Sequence, residues 1–325
     1  MCTAITFDGA DHYFGRNLDL EYSYGESVII TPRNYPFRFR KAETMCSHYA
    51  MIGMALAVED YPLYFDATNE HGLSMAGLNF PGNAVYQPFR EGYDNITPFE
   101  LIPWILSQCK TVPEAAGLLN NLNIFDEAFS NAYPQTPLHW ILADAHSCIV
   151  LEPMEDGLRI HENPVGVLTN NPPFDYHMTY LHNYLHLSAK EPENRFSAEL
   201  KLFPYSRGMG AFGLPGDLSS PSRFIRGAFV KFNAVRHQTE NESVGQFFHL
   251  LDTVAQVEGC CITPDGLEKT VYSSCCNTNK LVYYYCTYTN RQITAVKMLP
   301  EHMNGSDIIS YPLVLQQQIL WKNCN

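Results

Sequence analysis

Strand-like runs in this chain gather in hairpin-sized clusters separated by a helical block, with no regular strand–helix alternation. That pattern favours antiparallel sheets layered with helices, an α+β arrangement, over a doubly wound parallel sheet. Thr3 to Phe7 alternates weakly and reads as a strand, Asp8-Gly9-Ala10-Asp11 as a turn, and His12 to Asn17 as the returning strand. Ser27 to Thr31 reads as another, stopped by Pro32. After Pro98, the residues Phe99, Ile102, Ile105 and Leu106 recur at helical spacing. Thr111-Val112-Pro113-Glu114 is a capping box with proline in the first turn, which predicts a short helix ending near Leu119. Strands are expected again at Leu138 to Ala143, Cys148 to Glu152 and Val165 to Thr169, followed by a helix from Phe174 to Leu187. Residues 189–222, rich in Gly, Pro and Ser, read as a long loop. A further helix opens at Ser243, and Thr270 to Ser274, Leu281 to Thr287 and Gln292 to Met298 read as strands.

No linker or internal repeat divides the chain, so residues 1–325 read as one domain. Apolar residues make up 46% of it, enough for a substantial core. A net charge of −13 argues against nucleic acid and against an anionic membrane surface. No run approaches the roughly 20 apolar residues of a membrane span. The N-terminal residues lack a basic stretch followed by an apolar one, so the expected compartment is the cytoplasm. The ten cysteines form no paired CxxC clusters, which speaks against structural zinc and for free thiols.

Cys2 stands directly behind the initiator methionine. With Met1 removed, one residue carries both a thiol and a free α-amine. The thiol is a nucleophile, and an amine with an ordinary pKa of about 7.7–8.0 can take its proton. The first hairpin brings Arg16 and Asp19 close to this cysteine. A guanidinium beside the sulfur favours thiolate, and a carboxylate beside the amine orients it. Two asparagine-bearing turns, Gly77-Leu78-Asn79-Phe80-Pro81 and Leu168-Thr169-Asn170-Asn171-Pro172, offer amide and backbone N–H groups for an oxyanion. Asn beside Pro or Gly is also ordinary turn chemistry. His182 and His186 are four apart, but residue 183 is Asn and the HExxH glutamate is missing. Gly208, Gly210 and Gly213 spell GxGxxG without the flanking strand and helix that a dinucleotide site needs.

The segments MCT, YFGRNLD, NEHGLSMAGLNFPG (69–82), the HW of LHWILAD (138–144), GVLTNNP (166–172), GLPGDLSSPSRF (213–224) and YYYCTY (283–288) occur in this order along the chain. In this set the sequence resembles the bile salt hydrolases, the choloylglycine hydrolase branch of the N-terminal-nucleophile hydrolases, with the penicillin V acylases as close relatives. The resemblance implies a four-layer αββα sandwich of antiparallel sheets with Cys2 at the start of a central strand. It implies hydrolysis of the amide joining a steroid carboxyl to glycine or taurine, with no metal and no organic cofactor. Residue by residue, Cys2 matches the nucleophile, and Arg16 and Asp19 match its flanking residues. Asn79 and Asn170 match the polar groups around the oxyanion, and Arg223 matches the remaining active-site arginine. Asn at 79 resembles the bile salt branch, where many penicillin V acylases have Tyr. Leu20, Tyr24, Tyr61, Phe65 and Phe129 lie on segments the family uses for the steroid, and each reads equally well as core. The resemblance also implies a homotetramer. The rival readings are a penicillin V acylase or broader N-acyl amidase, and, more remotely, a non-catalytic bile acid binding protein.

Overall fold

A computed structural model describes residues 1–323; Cys324 lies outside the described residues. One sheet has seven strands. Along its main path lie β12 (Val167–Leu168), β1 (Cys2–Asp8), β2 (His12–Leu20), β14 (Gly266–Asn277), β15 (Val282–Thr287) and β16 (Thr294–Lys297), with β13 (Cys261–Thr263) hanging on β14. The second sheet has eight strands. Its order is β11 (Gly157–Glu162), β10 (Cys148–Met154), β9 (Leu138–Ala143), β6 (Ser74–Asn79), β5 (Tyr61–Asn69), β4 (Met51–Val58), β3 (Ser27–Thr31) and β17 (Ile309–Pro312). Every pairing in these two sheets is antiparallel. A small parallel pair, β7 (Asp94–Ile96) with β8 (Leu122–Ile124), stands apart. The helices are α1 (Leu101–Leu106), α2 (Val112–Leu119), α3 (Phe174–Leu181), α4 (Ser220–Asn233) and α5 (Glu240–Asp252).

Period-two alternation decides how these pieces stack. In β3, Val28 and Ile30 join one apolar core while Ile29 joins another. β6 divides likewise, with Ala76 and Leu78 against Met75, and so does β9, with Ile141 and Ala143 against Leu142. The first core lies between the two sheets and continues through Phe224 and Ile225 of α4 and Phe247 and Leu251 of α5. The second core joins the far face of the eight-stranded sheet to Ile102 and Ile105 of α1 and Ala115 of α2. The layers therefore run helix, sheet, sheet, helix. In β2, Gly15 permits the close approach of β14: a Cβ there would stand 2.0 Å from the Ser274 carbonyl oxygen.

Local signals account for several boundaries. The Thr111 hydroxyl accepts from the Glu114 N–H at 3.3 Å and starts α2, as the capping box predicts. The Glu114 carboxylate turns to the Lys110 N–H instead of closing the box on Thr111. Other expectations need correction. The stretch read as loop over 189–222 ends at Ser220, where α4 begins with Pro221 in its first turn. That 14-residue helix was hidden by its polar start, because only one side, including Phe224, Ile225 and Ala228, is buried. The helix expected from Ser243 begins at Glu240, where the side chain of Thr239 caps it. The helix from Phe174 stops at Leu181 and gives way to a tighter turn at His182–Tyr184.

Candidate active site

Cys2 opens β1 and pairs across to Leu18 of β2; Ala4 pairs to Arg16. Alternation then assigns sides. Cys2, Arg16 and Leu18 face the second sheet, while Thr3, Asn17 and Asp19 face the helices. The contacts agree. Arg16 donates from Nη1 to the carbonyl oxygens of Gly77 (2.6 Å) on β6 and Phe65 (3.0 Å) on β5. Asn17 donates to the Leu251 carbonyl oxygen of α5 at 2.9 Å.

Arg16 is fully buried, and its Nη2 has no hydrogen-bond partner. Burial opposes its charge, but Cys2, Tyr272, Asp66 and Tyr283 outweigh this and push its pKa up. Asp66 is itself buried and accepts from the phenols of Tyr272 (2.8 Å) and Tyr283 (2.6 Å). Burial raises its pKa and the Arg16 charge works the other way.

Asn170, two residues beyond β12, is the hub of the cluster. Its Oδ1 accepts from the Cys2 main-chain N–H (2.8 Å) and from Arg223 Nη2 (2.8 Å), and its Nδ2 donates to the Asn79 carbonyl oxygen (2.7 Å). The first two partners can only donate and the third can only accept, so the amide orientation is forced. Arg223 comes from α4 and is fully buried. Its Nη1 reaches the Cys2 carbonyl oxygen (2.5 Å) and Thr3 Oγ1 (2.7 Å), and its Nε reaches the Leu218 carbonyl oxygen (3.0 Å).

The described residues include Met1. Its ammonium donates to the Asp19 carbonyl oxygen (2.7 Å) and pairs with the Glu268 carboxylate (2.6 Å). Burial works against the charge of this ammonium, but Cys2, Asp19 and Glu268 raise its pKa overall. The Asp19 carboxylate is buried, accepts from Thr270 Oγ1 at 2.6 Å through one oxygen, and has no partner on the other. Burial raises its pKa, against the pull of Arg223 and the N-terminus.

All six residues expected at the catalytic centre thus gather around the start of β1. Glu268, Asp66 and Thr270 join them, and no local motif marked these three. Tyr283 lies in the segment YYYCTY without a role assigned to it. The expected steroid-pocket residues divide into two groups. Leu20 and Phe65 pack against the first core, and Tyr24, 41% exposed, has its ring centroid 6.0 Å from that of Phe65. Tyr61 and Phe129 lie in a separate ring cluster with Phe99 beside the second core. Among the described residues, no three His, Cys, Asp or Glu side chains gather as a metal site, and no helix is long and apolar enough to cross a membrane.

A model of the linear amide C–N hydrolases, choloylglycine hydrolase family, matches residues 2–311. The chain belongs to this family. A bile salt hydrolase/transferase from Lactiplantibacillus plantarum is 53% identical to it, with 98% of each chain covered. A bile salt hydrolase/transferase from Clostridium perfringens is 37% identical, with 96% of each covered. A crystal structure of a conjugated bile acid hydrolase variant from Clostridium perfringens superposes with a TM-score of 0.91 at 36% identity, covering 99% of this chain and 100% of that one. Penicillin V acylase from Agrobacterium tumefaciens shares the fold, with a TM-score of 0.76 at 18% identity over 95% of this chain and 90% of that one.

Proposed function

We propose that the chain hydrolyses the amide bond of glycine- or taurine-conjugated bile salts, with Cys2 as nucleophile once Met1 is removed. The convergence of Cys2, Asn79 and Arg223 on the Asn170 amide carries this reading. While Met1 is attached, the Cys2 nitrogen is an amide with no basic lone pair. Freed, it becomes an amine still facing Asn170 Oδ1, with the unpartnered oxygen of Asp19 as its further acceptor. The unpaired Nη2 of Arg16 is the donor we assign to the thiolate.

The thiolate attacks the substrate carbonyl carbon, and the electron pair moves to oxygen. That oxyanion is held by the second N–H of Asn170 Nδ2 and an N–H at Asn79. The Cys2 ammonium protonates the departing nitrogen, the C–N bond breaks, and glycine or taurine leaves a thioester on Cys2. The amine then takes a proton from water, which attacks the thioester and releases the bile acid. Leu20, Tyr24 and Phe65 would face the steroid. The Lactiplantibacillus and Clostridium relatives are also named transferases, and the same thioester would pass its acyl group to an amine in place of water.

Amino-acid release from taurocholate and glycocholate tests the reading. The wild type should turn both over, Cys2→Ser should not, and release of 6-aminopenicillanic acid from penicillin V should be much slower. Equal turnover by Cys2→Ser would remove the nucleophile assignment.

We also propose a single-domain subunit that self-associates, as a homotetramer, in the cytoplasm. The nine described cysteines are all free thiols, the form a reducing compartment maintains. Leu185, Phe196, Phe203, Tyr205 and Phe212 are each more than 70% exposed, apolar side chains that a second copy would cover. Light scattering on the purified protein reads the assembly directly.

A further inference from the structure

Beyond Leu168, where β12 ends, the chain leaves the sheet while still buried. Its backbone polar groups need other partners there. The Asn170 N–H donates to Ser220 Oγ at 2.8 Å. The two carbonyl groups are met by imidazoles: His139 Nε2 lies 2.9 Å from the Thr169 oxygen, and His177 Nε2 lies 2.9 Å from the Asn170 oxygen. A carbonyl only accepts, so each histidine must carry a proton on Nε2. His139 Nδ1 in turn meets Glu152 Oε1 at 3.1 Å, and that same oxygen accepts from the Phe174 N–H at the start of α3. All three side chains are completely buried. The ring of His139 stacks on Phe80 at 4.2 Å, and that of His177 on Phe224 at 5.0 Å.

We propose that His139, Glu152 and His177 form a buried clamp that positions Asn170 for the reaction. Three polar, fully buried side chains are a costly way to fill a core, since each must find a partner. Here the partners of both imidazoles are the two carbonyl groups that fix the hub residue of the site. Phe80 and Phe224, on which the rings rest, directly follow Asn79 and Arg223, the other two partners of the Asn170 amide. The clamp thus holds the neighbours of Asn170 as well as its backbone. Glu152 orients His139 and ties the arrangement to α3. These are positioning residues, and none touches the reacting atoms.

The inference rests on the functional reading above, and one pair of variants separates the two. His177→Phe keeps a ring over Phe224 and removes the N–H donor. His177→Gln loses the ring and keeps a donor at nearly the same reach. Acting through Asn170, the clamp predicts a kcat for taurine release lowered by up to about 10²-fold in His177→Phe, with KM within about twofold of wild type. His177→Gln should recover most of that kcat. A purely structural role predicts the reverse order, with the ring-preserving variant the better enzyme. That order, or wild-type kcat in His177→Phe, would overturn the clamp while leaving the amidase reading intact. If the wild type releases no taurine or glycine, the amidase reading falls and the clamp falls with it. Should His177→Phe fail to fold, His139→Gln and His139→Phe give the same comparison at the Thr169 carbonyl.

Discussion

Replacing Arg223 by Met removes the single cation that joins the first strand, the Asn170 turn and the start of α4. The structure gives the scale of the loss. Four acceptors face the guanidinium: the carbonyl oxygens of Cys2 and Leu218, Thr3 Oγ1 and Asn170 Oδ1. Asn170 Oδ1 keeps the Cys2 N–H, and Leu218 keeps a weak contact from Gln256 Nε2 at 3.4 Å. Hydrogen bonds to a charged group contribute roughly 1.5–3 kcal/mol each. Relief of guanidinium burial, which already lowers the Arg223 pKa, offsets part of this. The buried carboxylate of Asp19 also loses a favourable neighbour. Breaking such an arrangement by deleting one partner costs about 3–5 kcal/mol. Urea unfolding of the wild type and Arg223→Met, followed by tryptophan fluorescence and circular dichroism, should show a loss of that size. A loss below about 1 kcal/mol would refute the reasoning, since the guanidinium would then be replaceable by its hydrocarbon stem.

Other outcomes follow from single sites. Gly15→Ala should cost at least about 3 kcal/mol or abolish folding, because its Cβ would sit 2.0 Å from the Ser274 oxygen; soluble expression and the urea midpoint check this. Asn170→Ala should fold yet lose about 10²–10³ in kcat as an oxyanion donor disappears, and near-normal turnover would exclude it from that role. Burial pushes His177 down to about 4 from an ordinary 6.5, so between these values the unfolded chain takes up a proton that the folded chain refuses. Its contribution is complete above about pH 6.5 and falls by roughly 3 kcal/mol as pH drops toward 4. His177→Gln should flatten that part of the stability profile measured by urea midpoints from pH 7 to 4.

Cys2, Arg16 and Asp19 were legible because one short hairpin carries all three, and hairpins are read from local alternation. The side of the sheet that each takes was not, since it depends on the Cys2–Leu18 register and on what packs above and below. Asn170 was visible as a turn residue. Its work as an acceptor for two donors required Arg223, 53 residues away on a helix whose polar first turn resembles loop. His139 appeared within a matching segment with no chemistry attached, because its partners come from Thr169 and Glu152 rather than from neighbours in sequence. Tyr61 and Phe129 were legible as aromatic residues, but their meeting with Phe99 was not, because the three come from separate segments.

The even and odd positions of the second strand have a lasting effect on how this chain can vary. Arg16 and Asp19 look out on opposite compartments, so deleting one residue between them would send one of the two to the wrong side. Length changes should be accepted at the Asp8–Asp11 bend, and between His12 and Asp19 only where a bulge restores the count. Any lineage that tinkers with this ribbon must keep its parity or lose its chemistry.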